Sequence, residues 1–464
     1  MNTDATGSAS APDPASFGAG SYRGYDTRLA AEADDELTLV GPGTPCGEYL
    51  RRYWQPVGIG AQIGELPVAT RILGEELVLF RDLGGRVGLV HKRCPHRRAS
   101  LEFGTCEQRG IRCCYHGWHF DVDGTLLDAP GQPQAAAERL KSHVRLGAYP
   151  AFEYKGLVFA YMGPVDLMPR FPVYDAFELP GMEMVPYKAP FHCNWLQVLD
   201  AIVDPIHTSF LHSNISRVQF SAEFGEVGEM DFFERDAWLL GANTRRVGDN
   251  VWFRVNELVL PNFTQAGAAF ATDGTKQRYY GRSAFTRWVV PLDDEETVCF
   301  AWANFGERGD PQEYNTAEGP ELIEQGEVFD RAYDHKQRFP ADAEATEGMG
   351  RITIHDNENL APSDKGIALM RRKLRSEIRK VAAGEKPMHV SDFAQNPVPT
   401  YGGDTVLRMP RKSNDEAEFL SRLAHALMKT QYAADGLPEA ERLAMVSDRM
   451  RAIEKHGLPA STAP

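Results

Sequence analysis

The stretch 93–120, RCPHRRASLEFGTCEQRGIRCCYHGWHF, constrains the fold of this 464-residue chain more than any other. It holds two cysteine–histidine pairs, Cys94-Pro-His96 and Cys113-Cys-Tyr-His116, with sixteen residues between them. Two thiolates and two imidazoles complete a metal's ligand set, so Cys94, His96, Cys113 and His116 are expected at the tips of two short loops that the fold brings together. Two groups suit these donors. One is a structural zinc ion in an S2N2 site; the other is a [2Fe–2S] cluster with two histidines in place of two cysteines on one iron. The short Cys–His separations favour the cluster, because each loop then gives one thiolate to an inner iron and one imidazole to an outer one. Neutral imidazoles in place of thiolates raise such a cluster's potential.

A second group of ligand-type residues lies in CNWLQVLDAIVDPIHTSFLHS, residues 193–213. His207 and His212 are five apart, and Asp204 precedes the first by three. A histidine pair on an apolar helix is most often core or surface. Beside the first ligand set it points instead to the two-histidine, one-carboxylate site of non-haem Fe(II) oxygenases, which leaves positions open for O2 and substrate. On an ideal helix, residues five apart lie about 140° around the axis, too far for both rings to reach one ion. A deformed helix is therefore expected over 204–212, with Pro205 as its cause.

Fifty basic and 65 acidic residues give a net charge of −15, which argues against nucleic acid or an anionic membrane as the main partner. No apolar run of about 18 residues and no signal peptide are visible. Seven cysteines form no disulfide framework, so a cytoplasmic protein is expected. Residues 1–36, rich in Ala, Ser, Gly, Asp and Pro, read as a mobile arm. Residues 37–165 have short β runs, and Asp123-Gly124 between apolar alternations signals a hairpin. Residues 166–410 mix strands with helical stretches near 194–212 and 364–383, and 411–464 form a helical C-terminal extension. The class is α+β: a small β domain plus a larger domain with an antiparallel sheet and helices. Neither GxGxxG nor a P-loop occurs, so a nucleotide is not handled by this chain itself.

Together, CPHR, HGWHFDVDG, LVGPGTPCGEYLRRYWQPVG, CNWLQ and the D-P-x-H-x4-H segment resemble the catalytic α-subunit of Rieske non-haem iron oxygenases over residues 38–410, most closely the phthalate dioxygenase-type branch. The resemblance implies a Rieske [2Fe–2S] cluster on Cys94, His96, Cys113 and His116, and a mononuclear Fe(II) on His207, His212 and a third carboxylate. Asp342 matches that third ligand, although Ala343 and Thr346 stand where the family pattern has Trp and Gln; Asp356 is the competing choice. Asp204 matches the aspartate that links His207 to the His116 equivalent of a neighbouring subunit, and Asn194 an asparagine near the iron. The resemblance further implies a head-to-tail trimer or stacked trimers, O2 as co-substrate, and NAD(P)H electrons arriving only through a separate flavin/ferredoxin-type reductase. Cys106 and Cys114 do not occupy the offsets of the disulfide in respiratory Rieske proteins and are expected as free, half-buried thiols.

Three functions compete. The first is hydroxylation or O-demethylation of a small aromatic compound. The second is hydroxylation or desaturation of a small aliphatic such as a tertiary alcohol. The third, a pure Rieske electron carrier, has no use for Asp204, His207 and His212. An aromatic acid needs a cationic anchor, for which Arg217, Arg254, Arg278 and Arg282 are candidates. The mostly apolar stretch 257–267 is expected in the pocket wall.

Overall fold

A computed structural model describes residues 24, 31–179, 183–215, 218, 221–267, 274–283, 285–305, 331–394, 396–411 and 415–458. Three small antiparallel sheets form the N-terminal part. Trp54–Ile59, Leu157–Tyr161 and Ala151–Tyr154 pair in one. Val68–Ile72, Glu75–Arg81, Val87–His91 and Ala148–Tyr149 pair in the second. Thr105–Cys106, Ile111–Arg112, His119–Phe120 and Leu126–Asp128 pair in the third. The Asp123-Gly124 hairpin forms as expected. Gly124 takes φ +80, and its N–H donates to the Asp121 carbonyl at 3.0 Å.

The larger part is one nine-stranded antiparallel sheet. Its main path runs Glu183–Phe191, Thr297–Phe305, Phe285–Pro291, Phe263–Ala266, Asn250–Val259, Trp238–Val247, Glu229–Arg235. The strand Asn250–Val259 forks the sheet: its first half pairs with Gly403–Arg408 and its last three residues with Phe263–Ala266. Helix Trp195–Val203 lies against this sheet with eight of its nine residues buried, as an apolar sequence read all round requires. Helix Lys365–Ala382 is one-sided instead. It buries Met370, Leu374, Ile378 and Val381, which share one face at helical spacing.

One large core joins residues from Leu37 to Ile453, so both parts and the terminal helices share buried surface. A second core, built from Val78, Phe80, Val90, Ile111, Trp118, Phe120 and their neighbours, includes Cys94, Cys106 and Cys113. Helices Glu416–Tyr432 and Glu439–His456 form the expected extension. Arg442 of the second is 2% exposed and donates to the Asp175 carboxylate and the Thr400 carbonyl. Most of the expected arm, 1–36, lies outside the described residues, but its end is not loose. Asp34 and Glu36 accept from Arg375, and Glu36 also from Arg379. Among the described residues no helix is long and apolar enough to cross a membrane.

Candidate metal centres and cavity

The two ligand loops share one backbone frame. The Cys94 N–H donates to the Ala99 carbonyl at 2.9 Å, and the Cys113 N–H to the Trp118 carbonyl at 2.8 Å. Four residues after each cysteine the chain turns left-handed, at Arg98 (φ +65) and Gly117 (φ +71), and donates back to the cysteine carbonyl. Each loop thus points its cysteine inward and its histidine outward. The two cysteines are buried and lie against one another, and the amides of His96 and Arg97 point at the Cys94 sulfur. His96 and His116, half-buried, bring their rings to 4.6 Å, and Trp118 stacks on His96 at 4.4 Å.

This division into a thiol pair and an imidazole pair decides between the two metal groups. A tetrahedral zinc needs all four donor atoms close together. Among the described residues only His207, His212 and Asp342 form a set of three such donors within 4.8 Å of one another. The loop donors form one thiol pair and one imidazole pair instead, as a [2Fe–2S] cluster needs, and amides aimed at a sulfur suit an anionic cluster. None of the seven cysteines, all of them among the described residues, is in a disulfide; Cys106 is buried and Cys114 exposed rather than both half-buried.

The expected helix deformation is present and has two parts. Helix Trp195–Val203 stops at Asp204-Pro205, a short turn His207–Ser209 follows, and Phe210–Asn214 is a π-helical turn. The break and the wide turn bring both rings onto one side. His212 Nε2 lies 3.2 Å and His207 Nε2 3.6 Å from Asp342 Oδ1. His207 Nδ1 bonds the Asp204 carbonyl, which leaves Nε2 to the shared centre.

Asp342 opens the helix Asp342–Glu347, and Gln197 ties this segment to helix Trp195–Val203. Its amide donates to the Thr346 and Gly350 carbonyls at 2.8 and 3.0 Å and accepts from Thr353 N–H at 3.0 Å. Burial raises the Asp342 carboxyl, but His212, His207 and Arg287 outweigh it and hold the group well below the usual range. Burial pushes the His207 imidazole down, toward the neutral ring that metals bind. Two imidazoles and an ionised carboxylate at one point fit a divalent iron with open positions.

The other expected positions divide. Asp204, half-buried, has its carboxyl raised by burial and accepts from Ile206 N–H at 2.9 Å. Asn194 is a correction. Its side chain is the N-cap of helix Trp195–Val203, accepting from Leu196 N–H and donating to the Thr38 and Asp294 carbonyls. The asparagine that lines the cavity is Asn256. Asp356 accepts from the Glu32 N–H at the surface, away from the histidines.

The cavity beside the triad is lined by Phe191, Val198, Ile202, Phe224, Arg254 and Arg287, among others. Of the four arginine candidates, Arg254 borders it. Arg278 faces Asp404 at 3.8 Å, Arg282 is buried against Asp175, Tyr280 and Thr400, and Arg217 lies outside the described residues. Arg287 was missed because nothing in FTRWVVPL marks which strand face meets His207, His212 and Asp342. Of the stretch 257–267 only Ala266 is in the wall; Leu260 to Phe263 border a different recess, beside Tyr53 and Trp288.

Comparison with known proteins agrees with this geometry. The Rieske [2Fe-2S] domain family matches residues 53–150. The oxygenase subunit of tert-butanol monooxygenase / tert-amyl alcohol desaturase from Aquincola tertiaricarbonis is 40% identical over 455 residues, 93% of this chain and 96% of that protein. The α-subunit of phenoxybenzoate dioxygenase from Ectopseudomonas oleovorans is 39% identical over 374 residues, 77% of this chain and 87% of that one. The oxygenase in the oxygenase–ferredoxin complex of carbazole 1,9a-dioxygenase, 20% identical, superposes with a TM-score of 0.53 over 74% of this chain and 96% of its own, a likeness of fold.

Proposed function

We propose, since the chain belongs to the family of Rieske non-haem iron oxygenase catalytic subunits, that it oxidises a small aromatic compound by hydroxylation or O-demethylation. The observation that carries this reading is the cavity itself. Two histidines and an aspartate meet at its head, its wall is apolar and aromatic, and the guanidiniums of Arg254 and Arg287 border it. An apolar slot suits a ring, and arginine suits a carboxylate on that ring.

Cys94 and Cys113 would hold the inner iron of the [2Fe–2S] cluster and His96 and His116 the outer; His207, His212 and Asp342 would hold the mononuclear Fe(II). When bound, these groups supply a stored electron and O2 activation at open coordination sites. The chain's own residues do the rest. Phe191, Val198, Ile202 and Phe224 exclude water and orient the substrate, and Trp118 packs the cluster loop. Asp204 carries the electron route by bridging His207 to the His116 equivalent of a neighbouring copy, within a head-to-tail trimer or stacked trimers. The half-exposed imidazoles of His96 and His116, beside the exposed Tyr115, support such a junction.

NAD(P)H electrons come through a separate flavin/ferredoxin-type reductase, a reading supported by the fold relative solved with its ferredoxin. Seven cysteines without a disulfide among them support the cytoplasm as its compartment. Domain limits of 37–165 and 166–410, with an extension at 411–464, are part of the same reading. A second reading, hydroxylation or desaturation of a tertiary alcohol, is favoured by the relative that is 40% identical over nearly its whole length.

The test is reductase-driven turnover under ¹⁸O₂ with methoxybenzoates, phenoxybenzoate, phthalate and tert-butanol, products being read by mass spectrometry. Label in a ring, or formaldehyde from a methoxy group, is expected. Turnover confined to tert-butanol would replace the aromatic reading with the aliphatic one.

A further inference from the structure

We propose that Asn256 is the positioning residue for the Asp204 turn, so that the strand behind the cavity sets the electron route; this rests on the reading of Asp204 as the bridging carboxylate. In an unbroken helix the carbonyls of Ala201 and Ile202 would accept from the N–H groups of residues 205 and 206. Pro205 has no N–H, and the Ile206 N–H is spent on Asp204 Oδ1 at 2.9 Å. The break that frees Asp204 and His207 from the helix therefore leaves the Ile202 carbonyl, in buried surroundings, without its helical donor.

The missing donor comes from the sheet. Asn256 Nδ2 donates to the Ile202 carbonyl at 3.2 Å from the middle of strand Asn250–Val259. Which way an asparagine amide faces is set by its other partner. Here Asn256 Oδ1 accepts from Arg254 Nη1 at 2.6 Å, so Nδ2 must face the helix. Arg254 is fixed in turn. Its Nη2 donates to the Gly267 carbonyl at 3.2 Å, and its Nε lies 3.9 Å from Asp404, which also accepts from Trp252 Nε1 at 3.0 Å.

Only Val203 separates Ile202 from Asp204, so a rigid hold on that carbonyl fixes where the carboxylate emerges. Asn256 borders the cavity, yet both its polar atoms are committed to protein. It acts on the turn and not as a substrate ligand.

Asn256→Asp tests this directly. Aspartate keeps an acceptor for Arg254 and gains its charge, but has no hydrogen to give Ile202. Holoenzyme carrying both metals is reduced with dithionite and mixed with oxygenated buffer containing 3-methoxybenzoate as probe. Cluster reoxidation is followed by visible absorbance for wild type, Asn256→Asp, Asn256→Gln and Asp204→Asn. The expected result is reoxidation at least tenfold slower in Asn256→Asp, close to Asp204→Asn, with chelatable iron and the Fe(II)–nitric oxide EPR signal unchanged. Asn256→Gln, which restores an amide donor, is expected to recover part of the rate.

Wild-type reoxidation in Asn256→Asp alongside slow Asp204→Asn overturns this inference alone. Wild-type reoxidation in Asp204→Asn overturns the bridging reading and the inference with it. Loss of iron from both Asn256 variants overturns it in favour of a purely structural role.

Discussion

Glu257, one residue beyond Asn256, is a fully buried carboxyl on the catalytic sheet. Its Oε2 accepts from the Tyr401 and Gly402 amides at 2.8 Å each. Burial raises its pKa to about 7, and those two bonds, with Arg282 and Trp238, only partly offset the rise. In the unfolded chain a glutamate titrates near 4.3. Between roughly pH 4.3 and 7 the folded protein therefore keeps a proton that the unfolded chain has released, and stability falls as pH rises. A gap of nearly three pH units at about 1.4 kcal/mol each amounts to about 4 kcal/mol, fully lost above pH 7.

Glu257→Gln removes this titration and keeps an acceptor for the two amides. Any fixed cost of the amide is the same at every pH, so the comparison is made on slope. The stability of the variant relative to wild type, measured by urea unfolding at pH 5, 6, 7 and 8, is expected to rise by about 3 kcal/mol across that range. Asp200, also raised to about 7 by burial, is present in both proteins and cancels. Parallel pH profiles would show that Glu257 stays ionised in the fold and refute the reasoning.

Asp342→Ala is expected to lose mononuclear iron in a chelation assay while the cluster's visible spectrum stays; full iron retention would move the third ligand elsewhere. Asp204→Asn is expected to keep both metals and lose at least 99% of turnover, read as substrate-dependent NADH consumption. Gly124→Ala would place a Cβ 1.9 Å from the Leu146 carbonyl oxygen at φ +80, so destabilisation beyond the about 1–2 kcal/mol of a left-handed residue is expected, with cluster absorbance falling at lower temperature than in wild type.

Local chemistry made much of this molecule legible. The Cys94–His96 and Cys113–His116 spacings specified two loop tips, and the five-residue gap between His207 and His212 required a distorted helix, which the break at Pro205 and the π turn at 210–214 supply. The positions read from the sequence failed where a decision belongs to tertiary register. Asn194 precedes an apolar helix, where an N-cap is the ordinary use of asparagine, and that use prevailed. Asn256 and Arg287 sit on strands whose residues alternate between two buried faces, so no hydrophobic alternation distinguishes the iron side from the other. Gln197 sits in the CNWLQ segment itself, and only the fold reveals that it ties the Asp342 segment to the histidine helix.

Both candidate metal centres are built where the chain leaves regular structure, and each departure is held by neighbours that carry no ligand. In the cluster loops the holders are backbone bonds, closed by left-handed residues at Arg98 and Gly117. At the triad the helix ends early, and its freed carbonyl is taken up from the sheet by Asn256 while Gln197 fixes the segment that brings Asp342. A buried carbonyl without a donor costs about 1–3 kcal/mol, and the Asn256 bond removes that cost from the broken conformation that Pro205 imposes. The open geometry at His207 therefore draws on strand Asn250–Val259 as well as on the proline that ends the helix. That same strand borders the substrate cavity through Arg254 and Asn256, so its side chains belong at once to the pocket and to the support of the iron site.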